Sequence, residues 1–139
     1  MIIEGTRFGT IEVNEDRMIT MPAGMIGFAS ETRFVLLEPN AGRTTGWLQS
    51  VDNPELAFPV IDANALSPNY PPTTLRDSAR NAGVADDDLA VLVVVVARKN
   101  APRLVGNLLA PVVIGAISRT GAQIVLDHRH YSAAAPLAA

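Results

Sequence analysis

The sequence predicts an all-β fold, mainly antiparallel, shaped as a small β-barrel-like domain with one short helical insertion. Three observations carry this. Short apolar–polar alternations recur with turn residues between them, as in Gly9–Val13 and Arg33–Glu38. The run Leu89–Ala97 (LAVLVVVVA) is continuous and β-branched, the pattern of a strand buried on both faces. Only one stretch, from about Leu75 to Ala82, carries helix start and stop signals.

The elements follow in order. In MIIEGTRFGTIEV, Ile11 and Val13 share one face and Glu12 the other, while Gly5 and Gly9 mark bulges or close backbone approach. Asn14–Asp16 is a turn and Arg17–Met21 a short strand. Pro22–Phe28 (PAGMIGF) is a compact turn unit, with Pro22 fixing φ and Gly24 and Gly27 permitting positive φ. Its Met25, Ile26 and Phe28 are expected to fold back onto the sheet. The strand from Arg33 to Glu38 leads to a loop, Pro39–Gly46, with Gly42 and Arg43 exposed. Trp47, Gln49 and Val51 then share one strand face, and Leu48 and Ser50 the other. Asn53-Pro54-Glu55-Leu56 fits a type I turn. Pro59, inside the returning strand, confines that strand to a sheet edge or marks a bulge.

Three prolines between 68 and 72 end this region. Thr74 and Asp77 have the form of a capping box, and Gly83 is placed to close the helix. Asp86–Asp88 before the valine run, and Arg98 and Lys99 after it, read as charges guarding against aggregation. Further strands follow, broken at Ala110–Pro111 and turning at Arg119–Gly121. The total is about nine strands and one helix. The chain reads as a single domain, 1–139, whose tail from about 127 packs loosely.

With no cysteine, disulfides, thiol catalysis and thiolate metal sites are excluded. The N-terminus lacks the apolar run of a signal peptide. Leu89–Ala97 is about half the length needed to span a bilayer. The expectation is a soluble, cytoplasmic protein without membrane association. Residues 1–69 hold nine acids against four arginines, and the remainder five acids against seven bases. No basic run suits a phosphate backbone, so direct nucleic-acid binding is not expected. The acidic half suits a basic protein surface, or is an ordinary solvated surface.

Chemistry is not legible. His128 and His130 would share a strand face, but Asp127 would oppose them and no third ligand is spaced to complete a metal site. Ser50, Ser67 and Ser118 lack the G-x-S-x-G elbow of a hydrolase. No acid pair stands out. The reading is a non-enzymatic protein with no catalytic residues, no metal and no cofactor.

Arg7–Val13 (RFGTIEV), Pro22–Phe28, Trp47–Phe58 (WLQSVDNPELAF), Asn107–Ile114 (NLLAPVVI) and Gly121–Leu126 (GAQIVL) fall in the order and spacing of the flagellar assembly factor FliW family, which this chain resembles over nearly its whole length. The resemblance implies a cytoplasmic protein, monomeric when unbound, that binds flagellin and the translational regulator CsrA in competition. Flagellin that accumulates occupies the factor and frees CsrA to repress flagellin messenger RNA; export of flagellin reverses this. Phe8, Gly9, Pro22, Gly24, Gly27, Phe28, Trp47, Phe58 and Pro111 match as structural positions. Asp52, Asn53, Pro54, Glu55 and Asn107 are the candidate partner-binding residues. Ala23 stands where the family usually has an acid, Pro59 where it has an aliphatic residue, and Leu109 where lysine is common.

Within this reading Trp47 anchors the core, and the polar residues beside it face out or shape the turn. Asp52–Glu55 is then a rigid displayed turn, the Phe58–Ile61 edge beside it is a candidate docking strip, and both are expected to contribute to a protein interface. Two alternatives remain: a small-molecule-binding barrel, which an accessible cavity would favour, and an enzyme of unknown type, which needs His128 or His130 gathered with carboxylates in a cleft.

Overall fold

A computed structural model of the chain describes residues 1–38 and 45–137. The expected exposure of Gly42 and Arg43 lies outside these residues. The described chain is mainly antiparallel β, as predicted, with eleven strands and one α-helix. A hairpin, β1 (Ile2–Thr6) and β2 (Gly9–Glu12), stands apart from the main sheet. The main sheet contains β3 (Ile19–Thr20), β4 (Arg33–Leu37), β5 (Thr45–Ser50), β6 (Ala57–Asp62), β7 (Leu89–Ala97), β9 (Val112–Gly115) and β10 (Gly121–Gln123). Their spatial order is β10-β9-β7-β6-β5-β4-β3. The C-terminal part of β7 also pairs with β8 (Leu104–Gly106), and β8 with β11 (Ala135–Pro136). The two end strands are joined by one bridge, Thr20 to Thr120, where the Thr20 amide donates to the Arg119 carbonyl at 2.9 Å. The sheet thus curls until its edges touch.

Period-two alternation sorts the side chains into three cores. Phe34 and Leu36 on β4, Leu48 on β5, Val60 on β6, Leu92 on β7, and Val112 and Ile114 on β9 point inward, with Ile19, Met21 and Met25 completing the inner core. The intervening residues face outward and are covered by two separate pieces of chain. Val35 and Val51 lie under the hairpin residues Ile3 and Val13. Val91, Val93 and Val113 lie under helix α1 (Leu75–Asn81), through Leu75 and Ala79, and under Tyr70 of the loop before it. Both faces of the sheet are therefore used, which is how a chain this short buries so many valines.

Several expectations need correction. β7 is buried only at Val91–Val93; its C-terminal end runs into an exposed hairpin, and Val96 is 51% exposed. β6 is not an edge strand. It pairs with β5 from Ala57 and with β7 only from Val60, so the missing N–H of Pro59 falls where the second ladder has not begun. Thr74 makes no capping bond: its backbone is already helical, and Asp77 is drawn to Arg80 at 2.9 Å. The helix C-terminus does follow its signal. Gly83 has φ +89°, its amide donates to Arg80, and the Val84 amide donates to Ala79, a Schellman closure with Val84 packed on Ala79.

The Asp86–Asp88 run has structural duties beyond repulsion. Asp86 binds Arg80, and Asp88 accepts from the amides of Ile117 at 2.6 Å and Ser118 at 2.9 Å, fastening the β9–β10 turn. The tail is also tied down, against expectation. Tyr131 packs edge-on against Tyr70 at 5.8 Å, the Ser132 carbonyl accepts from Leu108, and β11 pairs with β8. Among the described residues no helix is long and apolar enough to cross a membrane.

Candidate functional site

The turn that joins β5 to β6 is held at several points. The Leu56 amide donates to the Asn53 carbonyl at 3.0 Å, closing the turn, and Asn53 Oδ1 accepts from the Glu55 amide at 3.3 Å. Ser50 Oγ accepts from the Asn53 amide and donates to Glu31 Oε2, both at 3.0 Å. From beneath, the two N–H groups of Gln49 Nε2 are shared among the carbonyls of Ser50, Pro54 and Leu56 at 2.9, 3.0 and 3.2 Å. Gln49 and Ser50 are both fully buried. Because both side chains are cut off from water, the loss of these bonds is costly.

Asp52 and Glu55 differ in what they present. Asp52 is clasped by the Arg33 guanidinium through two bonds, Nε to Oδ2 at 3.0 Å and Nη2 to Oδ1. These hydrogen bonds, and then the nearby charge, hold its carboxyl below the usual aspartate range. Glu55 is exposed and, among the described residues, has no ion-pair partner. The turn therefore displays one open carboxylate beside one already neutralised in part.

Asn107 stands elsewhere. It follows β8, where its amide donates to Val94 at 2.9 Å and its Oδ1 accepts from the Ala110 amide at 3.1 Å. Its side chain shapes the link to β9, across β6 and β7 from the turn. The structure does not bring Asn107 together with Asp52–Glu55. Pro111, nearby, is fully buried.

Trp47 is not a core anchor. It is half-buried at the rim of the hairpin, with Phe8 edge-on at 5.5 Å and the Arg7 guanidinium 4.1 Å from its ring centroid. Packed with the hairpin residues Ile3 and Val13 are Val35 and Val51 instead. Phe58 lies between Phe34, tilted at 6.2 Å, and Phe28, edge-on at 5.5 Å. Of the three apolar side chains in the Pro22–Phe28 turn, Met25 is buried, whereas Ile26 is 59% and Phe28 40% exposed. Gly24 is required there, since an added Cβ would strike the carbonyl oxygens of Phe28 and Ala29. Gly9 and Gly27 also take positive φ.

Sequence reasoning missed Arg33, Glu31 and Arg7. The only signal for Arg33 is the β4–β5 register, Phe34 opposite Ser50, which sets Arg33 beside Asp52. His128 and His130 are exposed in a turn, where Asp127 is engaged by Arg129. Among the described residues no group of three metal-ligating side chains assembles. Ser50 is bonded to Glu31 and the Asn53 amide.

An all-β protein emerges whose candidate residues brace and display a surface turn. The family model described as FliW protein matches residues 2–137. A flagellar assembly factor FliW from Geobacter sulfurreducens is 39% identical over 98% of this chain and 86% of its own. One from Natranaerobius thermophilus is 35% identical over 99% and 92%. The crystal structure of a flagellar assembly factor FliW superposes with a TM-score of 0.84 at 27% identity, covering 98% of this chain and 96% of that one. The chain belongs to the FliW family of flagellar assembly factors, which are non-enzymatic.

Proposed function

We propose that this protein binds flagellin in the cytoplasm and, when flagellin is scarce, holds the translational regulator CsrA, so that the two partners compete for it. The observation that carries the reading is the family match across residues 2–137. The unbound protein is a monomer that touches protein partners and neither nucleic acid nor membrane.

The braced turn is the proposed contact. Its backbone is fixed by Gln49, Ser50 and Asn53 before any partner arrives, so little ordering entropy opposes docking. Glu55 is the open charge, and a basic partner surface would be steered toward it. Titration calorimetry at low salt tests this with Glu55→Arg, alone and combined with Asp52→Arg. Weakened binding of flagellin or CsrA supports the contact. Unchanged affinity for both partners removes the turn from the interface and leaves the family-level function to be tested separately.

A further inference from the structure

The inner core does not fill the whole curl of the sheet. Beyond the end of β4 and the β9–β10 turn lies a half-open cavity of about 460 Å³. Its floor is apolar: Ile19, Leu36, Leu92 and Ile114. The hollow has a cause in the sequence. Ala90, opposite Ile114 on the inward face, contributes only a methyl group. A smaller recess beside Gly46 shares Leu36, Glu38 and Leu92 with the main cavity. The size falls within the range of small-molecule sites.

The rim carries Glu12 from the end of β2, Arg17 from the segment after the hairpin, Glu38 from just past β4, and Arg119 from the β9–β10 turn. Among the described residues none of these four makes an ion pair. An apolar floor therefore sits beneath two cationic and two anionic side chains. A ligand with a single carboxylate would face both glutamates, and a simple cation both arginines. A head bearing charges of both signs meets each with its opposite.

We propose that this cavity is a binding site for a small zwitterion with an apolar body, of the class of apolar amino acids and dipeptides. The probe is the dipeptide leucyl-leucine, followed by amide and methyl chemical shifts in the full chain, with decanoate as the singly charged comparison. The expected result is saturable shifts at Ile19, Leu36, Leu92 and Ile114 with the dipeptide. Binding should weaken about tenfold or more in Ala90→Phe, which fills the mouth, and in Arg17→Glu, which unbalances the rim. Both positions are exposed, so the variants should fold, and their unperturbed spectra away from the cavity check this. Absence of saturable shifts at millimolar dipeptide overturns the proposal. So does binding that Ala90→Phe leaves intact, or decanoate binding as tightly as the dipeptide.

Discussion

Gln49 Nε2 donates to the Pro54 carbonyl at 3.0 Å, so a fully buried side chain on β5 holds the exposed turn from within. The same nitrogen serves Ser50 and Leu56, while Oε1 has no hydrogen-bond partner. Gln49→Ala removes these bonds, leaving the Leu56 carbonyl with the Ser50 amide alone, and the expected cost is about 1–3 kcal/mol in urea denaturation. Hydrogen exchange at Asn53–Leu56 should quicken more than in the rest of the sheet. Gln49→Glu should cost more, because it places a carboxyl group among three carbonyls in a buried site.

The two ends of α1 should respond unequally. Gly83→Ala forces a Cβ into the left-handed region at φ +89° and should cost about 1–2 kcal/mol. Thr74→Ala removes no capping bond and should stay within about 0.5 kcal/mol of the parent. Thermal or urea unfolding of the pair measures the contrast.

Asp88 gives stability an acid-side dependence. The amides of Ser118 and then Ile117 hold its folded carboxyl below the ordinary aspartate value. The unfolded chain therefore binds the proton first as pH falls. The contribution is complete above the ordinary aspartate pKa and is lost as pH drops through the folded value. Asp52, lowered by Arg33, acts in the same direction. Asp88→Asn should flatten the fall in stability toward low pH and speed exchange at Ile117 and Ser118.

Trp47 reports on the hairpin rather than on the core. Arg7→Ala removes a guanidinium stacked at 4.1 Å and should cost about 0.5–1 kcal/mol. It should also red-shift Trp47 emission and raise its quenching by acrylamide. Phe34→Ala, at a fully buried inner position, should cost about 3–5 kcal/mol and serves as the core reference.

Alternation made the sheet legible. The faces assigned to Ile11, Glu12 and Val13, and the helix stop at Gly83, follow from local backbone rules that tertiary contacts did not override. The Asn53–Leu56 turn was legible for the same reason, because asparagine and proline determine its geometry locally. What covers each face was not legible. Whether Trp47 or Val51 lies beneath β1 and β2 depends on where a hairpin more than thirty residues away comes to rest, and side-chain size points to Trp47, the wrong one. Asp88 and Arg33 have the same difficulty, since their partners at Ile117, Ser118 and Asp52 are distant in sequence. The cavity was hidden because Ala90 acts by what it omits.

Competition calorimetry tests the proposed partner switch most directly. The purified protein is titrated with CsrA and the complex then with flagellin from the same organism. The switch predicts saturable binding to each and release of CsrA as flagellin is added. Simultaneous binding of both, or binding of neither by the folded protein, would contradict it.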